Sequence, residues 1–456
     1  MNYCPGCLEK QLEIDRLRQE LDRLKERLRH QERTAREGPF GSSTPSSKVP
    51  FKPGASPEQG VRAGGAPAGH PGCGRQGMPE AEAQQVRTVS APTRCPDCGG
   101  PLQAKGAKNR TVLDVQPLRR QTICYQLEQQ YCARCRQVVA ARAPGVLERN
   151  LLSNRLLAHV AVEHYVHGVT LGHLESQLAV GYGTLIGALH QLARRLEPAC
   201  ARLAAEYRRA PVRQADETSW RNDGRNGYAW LFCTGSLSLF RFRQSRSAQV
   251  VHQVLGRRRL PGVLVVDRYD AYNRAPCALQ YCYAHLLRDV EELEREFPAQ
   301  AEVQCFVAGL APLLARAMQL RGLHLSQPQF LAQARQTEKE IRAVARAPAQ
   351  HPGIQKIQNL FREKSRRLFH WAKDRRVPAD NNRSERELRP LVIARKTSFG
   401  SQSEAGAHTR EVLMSVLHTL RKRTDDVRVA FQRALDRLAE NAALDPYAAL
   451  YRLDSS

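Results

Sequence analysis

The chain has 456 residues, with 70 Lys and Arg against 45 Asp and Glu, a formal net charge of +25. At roughly 100–200 residues per domain that length holds two to four units, and the charge points to a polyanionic partner, nucleic acid above all, because phosphates attract such a surface and release counterions on binding. A polar, charged N-terminus and the lack of an apolar run of about 18 residues argue against a secretory leader and a membrane-spanning helix, so a cytoplasmic, nucleoid-associated protein is expected.

The first element is a helix over 8–32. Ile14, Leu17, Leu21, Leu24 and Leu28 follow a 3-4-3-4 spacing among charged residues, the seam of a short coiled coil and most simply of a homodimer. Cys4 and Cys7 precede it within this first unit (1–34). A dimer would bring two such pairs together and complete a four-thiolate zinc site; the competing reading is a pair of free terminal thiols. Residues 35–92, rich in Gly, Pro, Ser and Ala, read as a flexible linker.

Residues 93–140 carry Cys95-Pro-Asp-Cys98-Gly-Gly and Cys132-Ala-Arg-Cys135. Four thiolates suit tetrahedral structural Zn²⁺, and the two Gly let backbone amides approach the sulfurs. The long separation fits a zinc ribbon with a hairpin between the knuckles, strands being expected over 111–131.

Residues 145–205 read as helical. One apolar set opens at Leu156, Gly168 separates a second at Leu171, Leu174 and Leu178, and Thr184 is placed to cap a third helix after Gly181-Tyr182-Gly183. Helix, turn and helix fit a helix-turn-helix that reads duplex DNA, with a basic end at Arg194 and Arg195.

From 211 the pattern changes to strands. Asp216 stands early in the first, Asp223-Gly224 signals a hairpin turn, and Tyr228–Phe232 and Leu237–Phe242 read as paired strands. A helix near 246–256 leads to a buried strand, Val263 to Val266, that ends at Asp267. The whole suggests a mixed sheet covered by helices, an α/β unit with α-rich parts. Residues 285–375 and 382–440 return to helix. Glu385 opens one of these helices after Asp380-Asn381-Asn382.

Three hard carboxylates can hold two Mg²⁺ or Mn²⁺ ions for in-line displacement at phosphorus. Acidic residues at strand ends are common, so position alone makes Asp216, Asp267 and Glu385 suggestive, with Asp380 a rival to Glu385. Asn381 and Asn382 read as a capping and positioning pair. Cys282 and His285, three positions apart, share a helix face; they form either a metal pair or a packed, hydrogen-bonded pair near the site. Arg386, Arg389, Arg395 and Lys396 are candidate phosphate contacts, a solvated basic face being the alternative.

These motifs resemble the insertion sequence 66 transposases over nearly the whole chain. The resemblance rests on the N-terminal CPGC and leucine helix, Gly69-His70-Pro71-Gly72 and the CPDCGG module. It continues through DETSW at 216–220, VDRYDAY at 266–272 and the Cys-x-x-His element at Cys282 and His285. The most specific piece is Asp380-Asn381-Asn382-Arg383-Ser384-Glu385-Arg386-Glu387-Leu388-Arg389-Pro390 with Ala394-Arg395-Lys396. The resemblance implies a ribonuclease-H-like catalytic domain of the DDE type over 208–405, with a helical insertion at about 285–375 and a helical segment over 406–456. It makes Asp216, Asp267 and Glu385 the ligands of catalytic Mg²⁺ or Mn²⁺. The implied reaction frees a 3′-hydroxyl at each element end, and that hydroxyl attacks target DNA; smaller accessory proteins commonly assist. Arg268 stands where the family carries a small residue. The alternatives are a non-catalytic DNA-binding relative and a nuclease that cuts without joining.

Overall fold

The computed structural model describes Glu13, Ile14, Arg16, Leu17, Glu20, Pro101, 121–132 and 136–452, with no side-chain detail at Cys132 or 137–140. Ser43–Gln121 forms a unit of its own, of which only Pro101 and Gln121 are described. Cys4, Cys7, Cys95, Cys98 and Cys135 lie outside the described residues. The five N-terminal residues described are helical, and the seam positions Ile14 and Leu17 are exposed in the single chain.

Strands β1 (Gln129–Cys132) and β2 (Gln137–Ala140) pair antiparallel, Cys132 opposite Gln137. The expected strands did not extend through 121–128, which carry none.

Helices α1 (Asn154–Tyr165) and α2 (Leu171–Leu178) are capped by Ser153 and Thr170, whose hydroxyls accept from Leu156 and His173 amides. Helix α3 runs from Tyr182 to Arg209 with Gly181 at its N-cap. It starts ahead of Thr184, which is therefore not its cap, and runs through the boundary expected at 205–208. Its apolar stripe explains the length. Leu185, Leu189, Leu192 and Leu196 pack into one core and Leu203, Ala204 and Tyr207 into a second, so one helix ties both together.

The central sheet has five strands: β3 (Val212–Asn222), β4 (Arg225–Cys233), β5 (Ser238–Arg243), β6 (Val263–Val266) and β7 (Ala278–Tyr281). Their order is β5-β4-β3-β6-β7. β3, β4 and β5 form an antiparallel meander, and β6 and β7 run parallel to β3. Asp223 and Gly224 both take positive φ (50° and 69°), the two-residue turn their types favour. Helix α4 (Ala248–Leu255) links β5 to β6.

Helices cover both faces. On one face Trp220, Leu231 and Phe240 pack with α1–α3, α9 (Asn382–Ser398), α10 (Glu404–Arg421), α11 (Val427–Glu440) and α12 (Pro446–Tyr451). On the other, Trp230, Phe232, Leu264 and Val266 pack with α4 and with α5 (Tyr283–Glu296), α6 (Ala301–Leu320), α7 (Gln327–Val344) and α8 (Pro352–Glu363). These last four helices fill the long stretch between β7 and α9. α6 is long and apolar enough to cross a membrane by length and composition alone, which corrects the expectation that no such run exists. Val303, Phe306, Val307, Leu310 and Leu314 bury its apolar stripe in this core.

The edge strand β5 is closed by side chains of α10 at four-residue intervals. Thr419 Oγ1 accepts the Ser238 amide at 3.0 Å, Ser415 Oγ the Phe240 amide at 2.9 Å and Glu411 Oε2 the Phe242 amide at 3.1 Å. Two residues of strand advance about as far as four of helix, so the two ladders match, and the sheet is denied a further strand. Ser415→Ala leaves the Phe240 amide buried and unpaired, and a urea melt reads a loss of about 1–3 kcal/mol; an unchanged midpoint contradicts this account of the edge.

Candidate active site

The parallel pairing of β3 with β6 sets Gln214 beside Val265. Two residues further on stand Asp216, within β3, and Asp267, just past the end of β6; continuing the strand alternation puts both on the same face. Helix α9 lies over that face, with Leu388 and Leu391 packed in the same core as Trp220 and Leu231. Glu385 sits in its first turn.

Asn381 fixes the start of α9. It occupies the N-cap position but makes no side-chain capping bond. Its Nδ2 instead donates to Ala215 O at 2.8 Å, its Oδ1 accepts from Gln214 Nε2 at 3.2 Å, and its backbone N–H donates to Cys282 Sγ at 3.1 Å. One buried side chain thus joins the strand carrying Asp216 to the helix carrying Glu385. Asp380, the rival carboxylate, accepts the Asn382 amide at 3.0 Å.

The carboxylates repel. Burial pushes the Asp216 carboxyl well above its ordinary range, and Glu217, Asp267 and Glu385 each push it further, so all three lie close enough to act on it. Burial raises Asp267 too, against the Tyr269 amide at 2.9 Å and the charges of Arg246 and Arg268. No ion pair to Asp216 or Asp267 is present among the described residues. Glu385 meets Arg288 at 3.4 Å and His285 at 3.8 Å, and its Oε1 is buried without a hydrogen-bond partner. Hard oxygen donors, mutual repulsion and an orphaned oxygen fit a divalent cation as the missing partner.

The sequence did not single out Glu217, Arg246, Tyr272 or Arg288. Glu217 lies on the opposite face of β3 from Asp216. It is held by Arg246 at 2.6 and 3.0 Å and by the Tyr272 hydroxyl, and Arg246 lies over the Tyr269 ring at 3.9 Å. Only adjacency to Asp216 hinted at Glu217; Arg246 is remote in sequence from the carboxylate it pairs with. Arg268 pairs with Asp289 on α5. Cys282 stands at the N-cap of α5 and His285 in its first turn, both against Glu385. Burial, with Arg288 and Arg268 nearby, brings the His285 ring down to about 4, so it is neutral at neutral pH.

A family model described as Transposase IS66 family matches residues 149–409, more than half of the chain and all of the sheet, α9 and the three carboxylates. The chain belongs to the IS66 transposase family. It is also similar to two proteins of Sinorhizobium fredii (strain NBRC 101917 / NGR234). It is 26% identical to uncharacterized protein y4qI, over 79% of this chain and 74% of that protein. To uncharacterized protein y4jD it is 24% identical, over 71% and 70%.

In this IS66 family member the basic candidates divide by environment. Arg386, Arg389 and Lys396 are exposed on the outer face of α9, and none is ion-paired among the described residues. Arg395 is turned inward, donating to Ser219 O at 2.8 Å and Thr218 Oγ1 at 3.2 Å, where it ties α9 to β3. Arg194 is exposed, whereas Arg195 donates to Ala442 O at 2.6 Å. Asn382 begins α9 beside Glu385.

Proposed function

We propose that this transposase cleaves DNA strands at the ends of its element and joins the freed 3′-hydroxyls to target DNA, in a ribonuclease-H-like core of the DDE type. The observation that carries this is the convergence of Asp216, Asp267 and Glu385 over one face of the sheet, with Asp216 and Asp267 in no ion pair among the described residues and only Glu385 meeting a cation, Arg288 at 3.4 Å. The meander followed by two parallel strands, and the helices between β7 and α9, support the core assignment. Asp216, Asp267 and Glu385 would hold Mg²⁺ or Mn²⁺, which supplies Lewis acidity at phosphorus and an activated water. The chain's own part is to place these ligands. Asn381 locks β3 to α9, while Arg246 and Tyr272 hold Glu217 to the other side of the strand.

Double-stranded DNA is the proposed partner. The exposed face of α9 would meet phosphates beside the carboxylates, and α1–α3 would contribute as a helix-turn-helix-like unit. Neutralising each phosphate contact adds about 0.9 to the slope of log affinity against log salt. Replacing Arg386, Arg389 and Lys396 together by Gln is expected to flatten that slope by about 2–3, read by fluorescence anisotropy at several salt concentrations. An unchanged slope removes this face from the interface.

The remaining proposals concern the N-terminal third. Cys95, Cys98, Cys132 and Cys135 would hold a structural Zn²⁺ in a ribbon-like module. Residues 8–32 would dimerise the chain as a coiled coil, with Cys4 and Cys7 a further zinc site shared between protomers. Accessory proteins would join on the DNA.

Incubation with end-sequence DNA and Mn²⁺ tests the chemistry. Joined products are expected. Nicked ends alone favour a nuclease, and binding without cutting favours a non-catalytic relative.

A further inference from the structure

Cys282, His285 and Glu385 bring three chemically different metal ligands together. Single ligand atoms of the three lie within 4.8 Å of one another. Two elements converge here: the start of α5 supplies the thiol and the imidazole, and the first turn of α9 supplies the carboxylate.

His285 Nδ1 and Glu385 Oε1 are both buried and neither has a hydrogen-bond partner. They are 3.8 Å apart, too far to bond each other. That spacing is close to the roughly 3.4–3.7 Å between neighbouring ligands of a tetrahedral zinc ion, given its usual bond lengths. The third atom is fixed in position. The Asn381 backbone N–H donates to Cys282 Sγ at 3.1 Å and holds the sulfur in place, while burial pushes the free thiol up to about 12, so the metal itself must displace its proton. The carboxylate site accounts for the orphaned Glu385 Oε1, but not for the orphaned His285 Nδ1 beside it and a sulfur.

We propose that Cys282, His285 and Glu385 form a site for one soft divalent cation of the Zn²⁺ class. Sulfur and nitrogen donors separate it chemically from the carboxylate site, which suits Mg²⁺ or Mn²⁺. The two sites share Glu385. On binding, the Cys282 thiol gives its proton to solvent and its lone pair to the metal, the imidazole gives its free lone pair, and the fourth position is left to water. Metal binding here does not depend on the reaction proposed above.

The test uses the full chain, stripped of metal and titrated with Co²⁺, whose sulfur-to-metal absorption reports thiolate ligation. His285→Gln and Cys282→Ser are each expected to bind about one equivalent per chain less than the wild type. A Cys95→Ser/Cys98→Ser double variant is expected to keep that equivalent, which separates this site from the N-terminal cysteines. Because Cys282 is buried, the half-buried His285 gives the deciding variant if Cys282→Ser does not fold. Asp216→Asn is expected to retain the equivalent, so loss of catalysis and loss of this site are told apart. Equal cobalt uptake by the wild type and folded His285→Gln overturns the proposal.

Discussion

Asp216→Asn is expected to abolish strand cleavage while raising the melting temperature of the metal-free protein. Both effects come from one cause. Asp216 is buried, and Glu217, Asp267 and Glu385 all oppose its charge. With a divalent ion bound, that charge is used. Without one, it is a cost to the fold. The neutral amide fills the same space and removes the repulsion, so the apo protein gains about 1–2 kcal/mol, the common exchange of stability for function at a strained site. Cleavage falls by at least about 10³-fold, roughly 4 kcal/mol of barrier. The sign of the pH dependence follows. A carboxyl whose folded pKa is raised contributes its stability below the unfolded value near 4 and loses it as pH rises through the folded value. The stability gap between variant and wild type is therefore near zero at pH 4 and widens towards neutrality. Calorimetry in chelator at several pH values reads it, and Mn²⁺ should stabilise the wild type more than the variant. A variant that melts lower than the wild type at neutral pH contradicts the mutual repulsion.

Asn381→Leu is expected to cost about 2–6 kcal/mol of stability and about 10²-fold in cleavage. The stability loss counts the groups it strands: the Ala215 carbonyl and the Gln214 amide both lose their partner in a dry interior, at about 1–3 kcal/mol each. The loss of rate comes through placement. With the tie between β3 and α9 gone, Glu385 shifts relative to Asp216, and a displacement of about 1 Å costs on the order of 10²-fold. A merely structural role would leave metal affinity alone, so the deciding readout is the Mn²⁺ concentration for half-maximal cleavage, which should rise. Asn381→Asp is expected to be no better. It keeps an acceptor for Gln214, loses the donor to Ala215 and adds a fourth charge near Asp216.

The parts of the fold set by short-range patterns were legible in the sequence. Asp223-Gly224 marked the β3–β4 turn, the apolar run at 263–266 marked β6, and Asp267 stood at its end as expected. The structure places Asp216, Asp267 and Glu385 together, with Asn381 between the elements that carry them. Features that depend on distant partners were not legible. β7 is only four residues long and contains Gln280, a residue that reads as solvent-facing. In the fold its amide is buried and serves Leu368, His370 and Trp371, all far along the chain. The start of α3 was obscured by Gly181 and Gly183, yet Gly183 lies in open space within the helix, and the stripe from Leu185 to Tyr207 carries the helix through. Arg395 reads as a phosphate ligand by its neighbours Arg386, Arg389 and Lys396, but its position on the helix turns it inward to Ser219. Helical phase, not composition, separates it from them.

The measurement that tests the central claim most directly is a crystal structure of the full chain soaked in Mn²⁺, alone and with end-sequence DNA. One or two ions are expected between Asp216, Asp267 and Glu385, about 3.5–4 Å apart if both are present, with Glu385 drawn from Arg288 towards the metal. A DNA-bound structure in which Glu385 stays on Arg288 and no ion touches Asp216 or Asp267 would contradict the account.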